Sequence, residues 1–171
     1  MLKIHESDMW FYLSKEKTFP IEKSDTYRKV NTRGVSTVEF IMLGPKQNIM
    51  FVEAKKTAPD KENDKDISKF VASISKKFVH SLEMCYALLA QALPDDEPCF
   101  PDCLREAFKQ QPRIKLILIV KNLRDDHRAP LGELLRKQLR AEMRIWNMNV
   151  LVFNEDSAVA HNFVYKKENS S

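Results

Sequence analysis

The sequence predicts an α/β fold: a mixed β-sheet flanked by helices. Residues 113–120, Arg-Ile-Lys-Leu-Ile-Leu-Ile-Val, form a nearly continuous apolar run of strand length, which marks a strand covered on both faces. Phe70, Ile74, Phe78, Leu82, Tyr86 and Leu89 recur at three- and four-residue steps, drawing one apolar stripe along a long helix. The predicted elements follow the order strand, strand, helix, strand, helix, strand, which builds a two- or three-layer α/β domain with a mixed sheet.

Taken in order, residues 9–13 and 18–21 are apolar pieces whose spacing assigns no class. Ser24 can cap a short helix running to about Val30, because its hydroxyl can accept a free N–H of the first turn. Gly34 then interrupts the chain before a first strand at about 35–43. Gly44-Pro45-Lys46-Gln47 reads as a short turn into a second strand at about 48–55. Residues 57–65 are polar and include Pro59, so they read as a loop. The long helix is expected at about 66–92, with Asp66 suited to its N-terminal dipole and Pro94 stopping it. A turn-rich connection at 94–101 precedes a short helix at about 102–110 and the strand at 113–120. A helix at about 130–143 would turn Leu131, Leu134, Leu135, Leu139 and Met143 inward, and 149–153 reads as a last central strand. From about 155 the chain turns polar and charged and is expected to fray.

The 171 residues suffice for one domain with a substantial core. No apolar run approaches the roughly 18 residues of a membrane span, and residues 1–6 lack a signal-peptide hydrophobic region. A cytoplasmic protein with no membrane association is expected. Three glycines provide neither a GxGxxG nor a Walker loop, which argues against Rossmann and P-loop enzymes. The four histidines are scattered, with no Ser-His-Asp or Cys-His motif around them. Cys85 falls in the helical apolar pattern. Cys99 and Cys103 have a spacing that could hold zinc, but no second pair completes four ligands. Net charge is 28 − 24 = +4. Basic residues cluster at Lys55-Lys56, Lys76-Lys77 and Arg136, Lys137, Arg140 and Arg144. Such clusters attract polyanions through counterion release, or are simply solvated helix faces.

The chemistry concentrates in the first two strands. Glu39 sits between Val38 and Phe40, and the second strand ends Phe51-Val52-Glu53-Ala54-Lys55. Alternate strand residues share a face, so Glu53 and Lys55 project together, and in a hairpin Glu39 reaches the same corner. A glutamate inside an apolar strand is costly to bury without a partner. Two carboxylates beside an ammonium can hold a hard divalent cation and stabilise a phosphate in transition.

Over residues 35–120 this pattern resembles the PD-(D/E)xK nuclease superfamily: an acidic residue on one strand, an apolar strand ending Glu-x-Lys, then a long helix. Glu53 and Lys55 match the second acidic position and the motif lysine. Glu39 stands where the family usually has aspartate, and Val38 where it has a loosely kept proline. The resemblance implies one restriction endonuclease-like domain over 1–171. It further implies Mg2+ or Mn2+ held by Glu39, Glu53 and the Ala54 carbonyl, with Glu39, Glu53, Lys55 and Lys77 as the catalytic set. Lys77 lies on the helix face that lends a basic or polar group in related enzymes, with Lys76 as the weaker choice. An upstream carboxylate also assists in parts of the family; Glu6 and Glu22 are both available, and no motif chooses between them. The implied activity is hydrolysis of phosphodiester bonds, in DNA, by a homodimer or beside a partner subunit. The alternative is a nuclease-fold module that binds nucleic acid or a protein without cutting.

Overall fold

A computed structural model describes residues 1–60, 63–93 and 100–165. A five-stranded mixed sheet runs through the molecule in the order β3-β4-β5-β6-β7, comprising β3 (Thr18–Phe19), β4 (Phe40–Leu43), β5 (Asn48–Lys55), β6 (Arg113–Val120) and β7 (Met148–Asn154). β3, β4 and β5 pair antiparallel, whereas β5, β6 and β7 run parallel. β5 is therefore central and lies where the sheet changes from antiparallel to parallel. A separate hairpin, β1 (Leu2–Glu6) and β2 (Met9–Leu13), packs on one face of this sheet.

Strand alternation divides β5 between two apolar layers. Ile49 and Phe51 pack beneath α2 (Asp64–Leu89), α3 (Asp102–Lys109) and α4 (Asp125–Gln138), together with Ile74, Phe78, Leu104 and Leu135. Met50, Val52 and Ala54, with Phe153 of β7, pack with Ile4 and Phe11 of the hairpin and Val164 of the C-terminal segment. The expected α/β architecture is present, in three layers.

Ser24 caps α1 (Asp25–Val30) as expected, accepting a hydrogen bond from the Tyr27 N–H. β5, β6, β7 and α3 fall where the sequence places them to within about two residues. α2 begins at Asp64 because Asn63, rather than Asp66, accepts the free N–H at its start. It ends at Leu89, three residues short of the expected 92; Pro94 and the residues to 99, Cys99 included, lie outside the described residues.

Four expectations need correction. The segment 35–39 is not strand: the Ser36 N–H donates to His80 Nδ1 at 3.0 Å and the Val38 N–H to Ser81 Oγ at 2.9 Å, so α2 side chains take the place of a ladder partner. The expected helix at 130–143 is two helices, α4 and α5 (Arg140–Trp146). α4 starts at Asp125, where two aspartates suit its dipole; Leu139 leaves helical dihedrals between the two helices and is buried. Leu134, expected inward, is exposed. Beyond 155 the chain forms α6 (Glu155–Ala160), held by a reciprocal Asn154–Ser157 capping box, and Tyr165 bridges to Trp10.

Candidate active site

Four segments converge at the carboxyl end of β5. Glu53 is the last inward side chain on the helix side of the strand and has no exposed surface. The β4–β5 register pairs Phe40 with Val52, and the Glu39 N–H donates to the Val52 carbonyl at 3.1 Å. Glu39 therefore sits opposite Glu53, one residue before β4 begins, and is buried. Lys55 Nζ lies 2.7 Å from Glu53 Oε1. From α2, Lys77 Nζ lies 2.9 Å from the same oxygen and 4.0 Å from Glu22 Oε1. Glu22, in a single 3-10 turn before α1, completes the cluster through a hydrogen bond to the Glu39 carboxyl.

Side chains of α2 also set the backbone. Ser81 receives the Val38 N–H and donates to the Lys77 carbonyl at 2.7 Å. One buried hydroxyl thereby fixes the approach of Glu39 to the helix turn that carries Lys77.

Burial pushes the Glu39 pKa up to about 9, reinforced by its hydrogen bond to Glu22 and by the nearby Glu53 charge. With a pKa of about 9, Glu39 keeps its proton at neutral pH, and a hydrogen bond between two carboxyls requires such a proton. Burial also raises the Glu53 pKa, against the pull of Lys77 and Lys55. Burial works to lower the Lys77 pKa, but the surrounding carboxylates outweigh it and hold Lys77 above the ordinary lysine range. The Glu53 carboxyl lies within ion-pair distance of both the Lys55 and the Lys77 ammoniums.

Glu39, Glu53, Lys55 and Lys77 are thus brought together. Glu22 is the upstream carboxylate that no sequence motif selects; Glu6 pairs instead with Lys23 at 2.8 Å. Lys76 is exposed on the outer side of α2. The Ala54 carbonyl accepts the Ser7 hydroxyl at 3.0 Å and retains a second lone pair. Ser7 carries no sequence signal, since its contact depends on how the β1–β2 hairpin docks.

The basic group on α4 and α5 lies elsewhere. Arg136 donates to the Val150 carbonyl at 3.1 Å, near the start of β7. Because β7 runs parallel to β5 through β6, Arg140 and Arg144 project beyond the opposite end of the sheet from Glu53. Cys85 is buried, and burial pushes its thiol pKa far up. The Cys103 thiol donates to the Glu16 carbonyl at 3.2 Å.

The donor atoms at the cluster suit a hard divalent cation in kind. Carboxylate and carbonyl oxygens are the ligands magnesium and manganese take, and Glu53 Oε2 is buried without a hydrogen-bond partner. Among the described residues no group of three or more His, Cys, Asp or Glu side chains is already arranged around a metal position. Lys55 and Lys77 crowd Glu53 Oε1 instead, so binding a cation would require at least one ammonium to turn outward. Lys55, about one-third exposed, has the freer path.

No known family model, curated protein or solved structure matches this chain.

Proposed function

We propose that the chain is a metal-dependent nuclease of the PD-(D/E)xK type, with a restriction endonuclease-like core, acting on phosphodiester bonds in DNA. The observation that carries the reading is a fully buried glutamate on a central strand, pinned between two lysines and facing a second buried glutamate. Such an arrangement stabilises a fold poorly, because desolvating the charges offsets most of their attraction. It suits a site that must gather charge before a reaction.

In this reading Glu53 and Glu39 would hold Mg2+ or Mn2+ together with the Ala54 carbonyl. The bound ion supplies a water of lowered pKa and neutralises charge on the phosphate. Glu22, hydrogen-bonded to Glu39, would take up or relay the Glu39 proton if that carboxyl were to hold the ion. Lys55, released from Glu53, meets the negative charge that grows on the scissile phosphate. Lys77 stays behind as the buried counter-charge that keeps Glu53 ionised. Ser81 holds Glu39 against α2 and acts by positioning.

A second reading has its own support. Glu53 is sealed by two ammoniums and Glu39 is protonated, the resting state expected of a nuclease-fold module that binds nucleic acid or a partner subunit without cutting. One experiment separates the two. Purified protein is incubated with supercoiled, linear and branched DNA in magnesium, manganese or EDTA, alongside Glu53→Gln. The nuclease reading expects metal-dependent cutting that Glu53→Gln abolishes. Binding without cutting in either metal would favour the module, and cutting that survives in EDTA or in Glu53→Gln would refute this site.

A further inference from the structure

We propose that the outer face of the β1–β2 hairpin is a stacking surface for the unpaired bases of a single-stranded nucleic acid. The hairpin alternates strictly: Ile4, Met9, Phe11 and Leu13 are buried against the sheet, while Lys3, His5, Trp10 and Tyr12 face outward. Packing requires only the inner row. The outer row is aromatic and basic where a solvated strand would be polar.

The outward rings form one continuous patch. His5 stacks on Trp10 with centroids 4.4 Å apart, Trp10 lies 6.5 Å from Tyr12, and Tyr12 lies 5.0 Å from Tyr165. Tyr165 is held there because its N–H donates to the Trp10 carbonyl at 2.9 Å. Trp10 is 39% exposed, Tyr12 38% and Tyr165 55%. They are three of the six large apolar side chains exposed among the described residues, gathered in one place.

The charges around the patch favour a polyanion. Lys3 Nζ stands 5.4 Å from the Tyr12 ring. Lys121 donates to the Asp8 main-chain carbonyl at 2.8 Å, which places a second ammonium beside Lys56 at the hairpin turn. The local carboxylates are already paired, Asp8 with Lys56 at 2.7 Å and Glu6 with Lys23 at 2.8 Å. Every base has a π face, so aromatic platforms beside ammoniums bind single strands with little sequence preference. A sugar would use the rings and leave the ammoniums idle. A duplex would meet the ammoniums and leave the rings idle, its bases being stacked already.

The patch also has a direction. The hairpin turn ends at Ser7, whose hydroxyl bonds the Ala54 carbonyl, so a strand laid along Tyr12, Trp10 and His5 arrives beside the carboxyl end of β5. This part of the inference rests on the nuclease reading, and it makes DNA with an unpaired segment the substrate class.

The test is a fluorescence titration in EDTA with oligothymidylate and with a duplex of equal length. The protein carries Glu53→Gln to prevent cutting and Trp146→Phe so that Trp10 is the sole tryptophan reporter. Oligothymidylate should quench Trp10. In anisotropy titrations, Trp10→Ala combined with Tyr12→Ala should weaken oligothymidylate binding by about ten- to a hundred-fold with little change for duplex, and Trp10→Phe should retain most of the affinity. Both residues are partly exposed, so the double variant opens no core cavity, and a melting curve checks this. An unquenched Trp10, or oligothymidylate bound equally by wild type and the double variant, would overturn the proposal. A protein that stacks thymines yet never cuts DNA would keep this surface and refute the nuclease reading alone. A protein that cuts, with the double variant binding oligothymidylate like wild type, would refute the surface alone.

Discussion

Two lysine–glutamate contacts in this chain are nearly the same length and have opposite surroundings. Lys55–Glu53 measures 2.7 Å, with the Glu53 side chain wholly buried; Lys109–Glu106, one helix turn apart on α3, measures 2.8 Å, with both side chains more than half exposed. Distance alone would rank them equal. Burial separates them, because the surface pair exchanges water for a partner at little gain, whereas the buried charge has lost its water and depends on the ammoniums beside it. The basic residues of α4 and α5 give the same lesson on a larger scale. They form the densest positive run in the sequence, yet Arg136 spends its guanidinium on Glu133 and a β7 carbonyl, and its neighbours lie beyond the far end of the sheet.

The sharpest way to break the contrast is to remove both ammoniums. Lys55→Met with Lys77→Met leaves Glu53 buried without a cation. It should cost about 3–5 kcal/mol in urea unfolding at neutral pH, less on acidification as Glu53 takes up a proton. Adding Glu53→Leu should recover most of the loss. A double variant as stable as wild type would show that Glu53 was never ionised.

Ser81→Ala comes next. It strips the buried Val38 N–H of its acceptor and should cost about 1–3 kcal/mol, measured by the same unfolding curves; an unchanged midpoint would mean that water replaces the hydroxyl.

Glu39→Gln should act in the opposite direction. The folded state holds the Glu39 proton up to about pH 9, whereas an ordinary glutamate releases it near 4.5. The stability linked to that proton is therefore complete below about 4.5 and is lost as pH rises from 4.5 towards 9. Glutamine keeps the neutral shape, so the variant should match wild type near pH 4 and melt higher at pH 8, by about 2–4 °C for each kcal/mol of linkage. Parallel Tm–pH curves for the two proteins would remove the claim that Glu39 is protonated. At the small end, Glu106→Ala should change stability by less than about 0.5 kcal/mol; a larger loss in the same assay would erase the distinction between the two pairs.

Much of the framework was legible because periodicity reports burial. The even apolar run of β6, the stripe of α2 and the Gly44-Pro45 turn between β4 and β5 reflect local geometry, and so does the shared face of Glu53 and Lys55. What escaped depends on contacts distant in sequence. Residues 35–39 look like strand, but the Ser36 and Val38 N–H groups bond to His80 and Ser81. Glu22 enters the cluster from a single 3-10 turn without a motif. The β1–β2 hairpin hid for a physical reason: its outer row is aromatic, so 9–13 shows no alternation of polar and apolar residues. Its two-residue turn, Ser7-Asp8, takes left-handed φ values of 52° and 60° without the usual glycine.

The central claim is that this buried cluster does chemistry on phosphate, and Lys55 is its most direct probe. Lys55 ends its strand partly exposed, so truncation opens no core cavity. The measurement is a single-turnover cleavage rate with saturating DNA and magnesium for wild type and Lys55→Ala, with a melting curve for each. The expected result is a folded variant whose melting point falls only modestly, because Lys77 still faces Glu53, and a rate lower by about a hundred- to a thousand-fold, the loss expected on removing one preorganised contact to developing charge. Lys55→Ala cutting at the wild-type rate would contradict it.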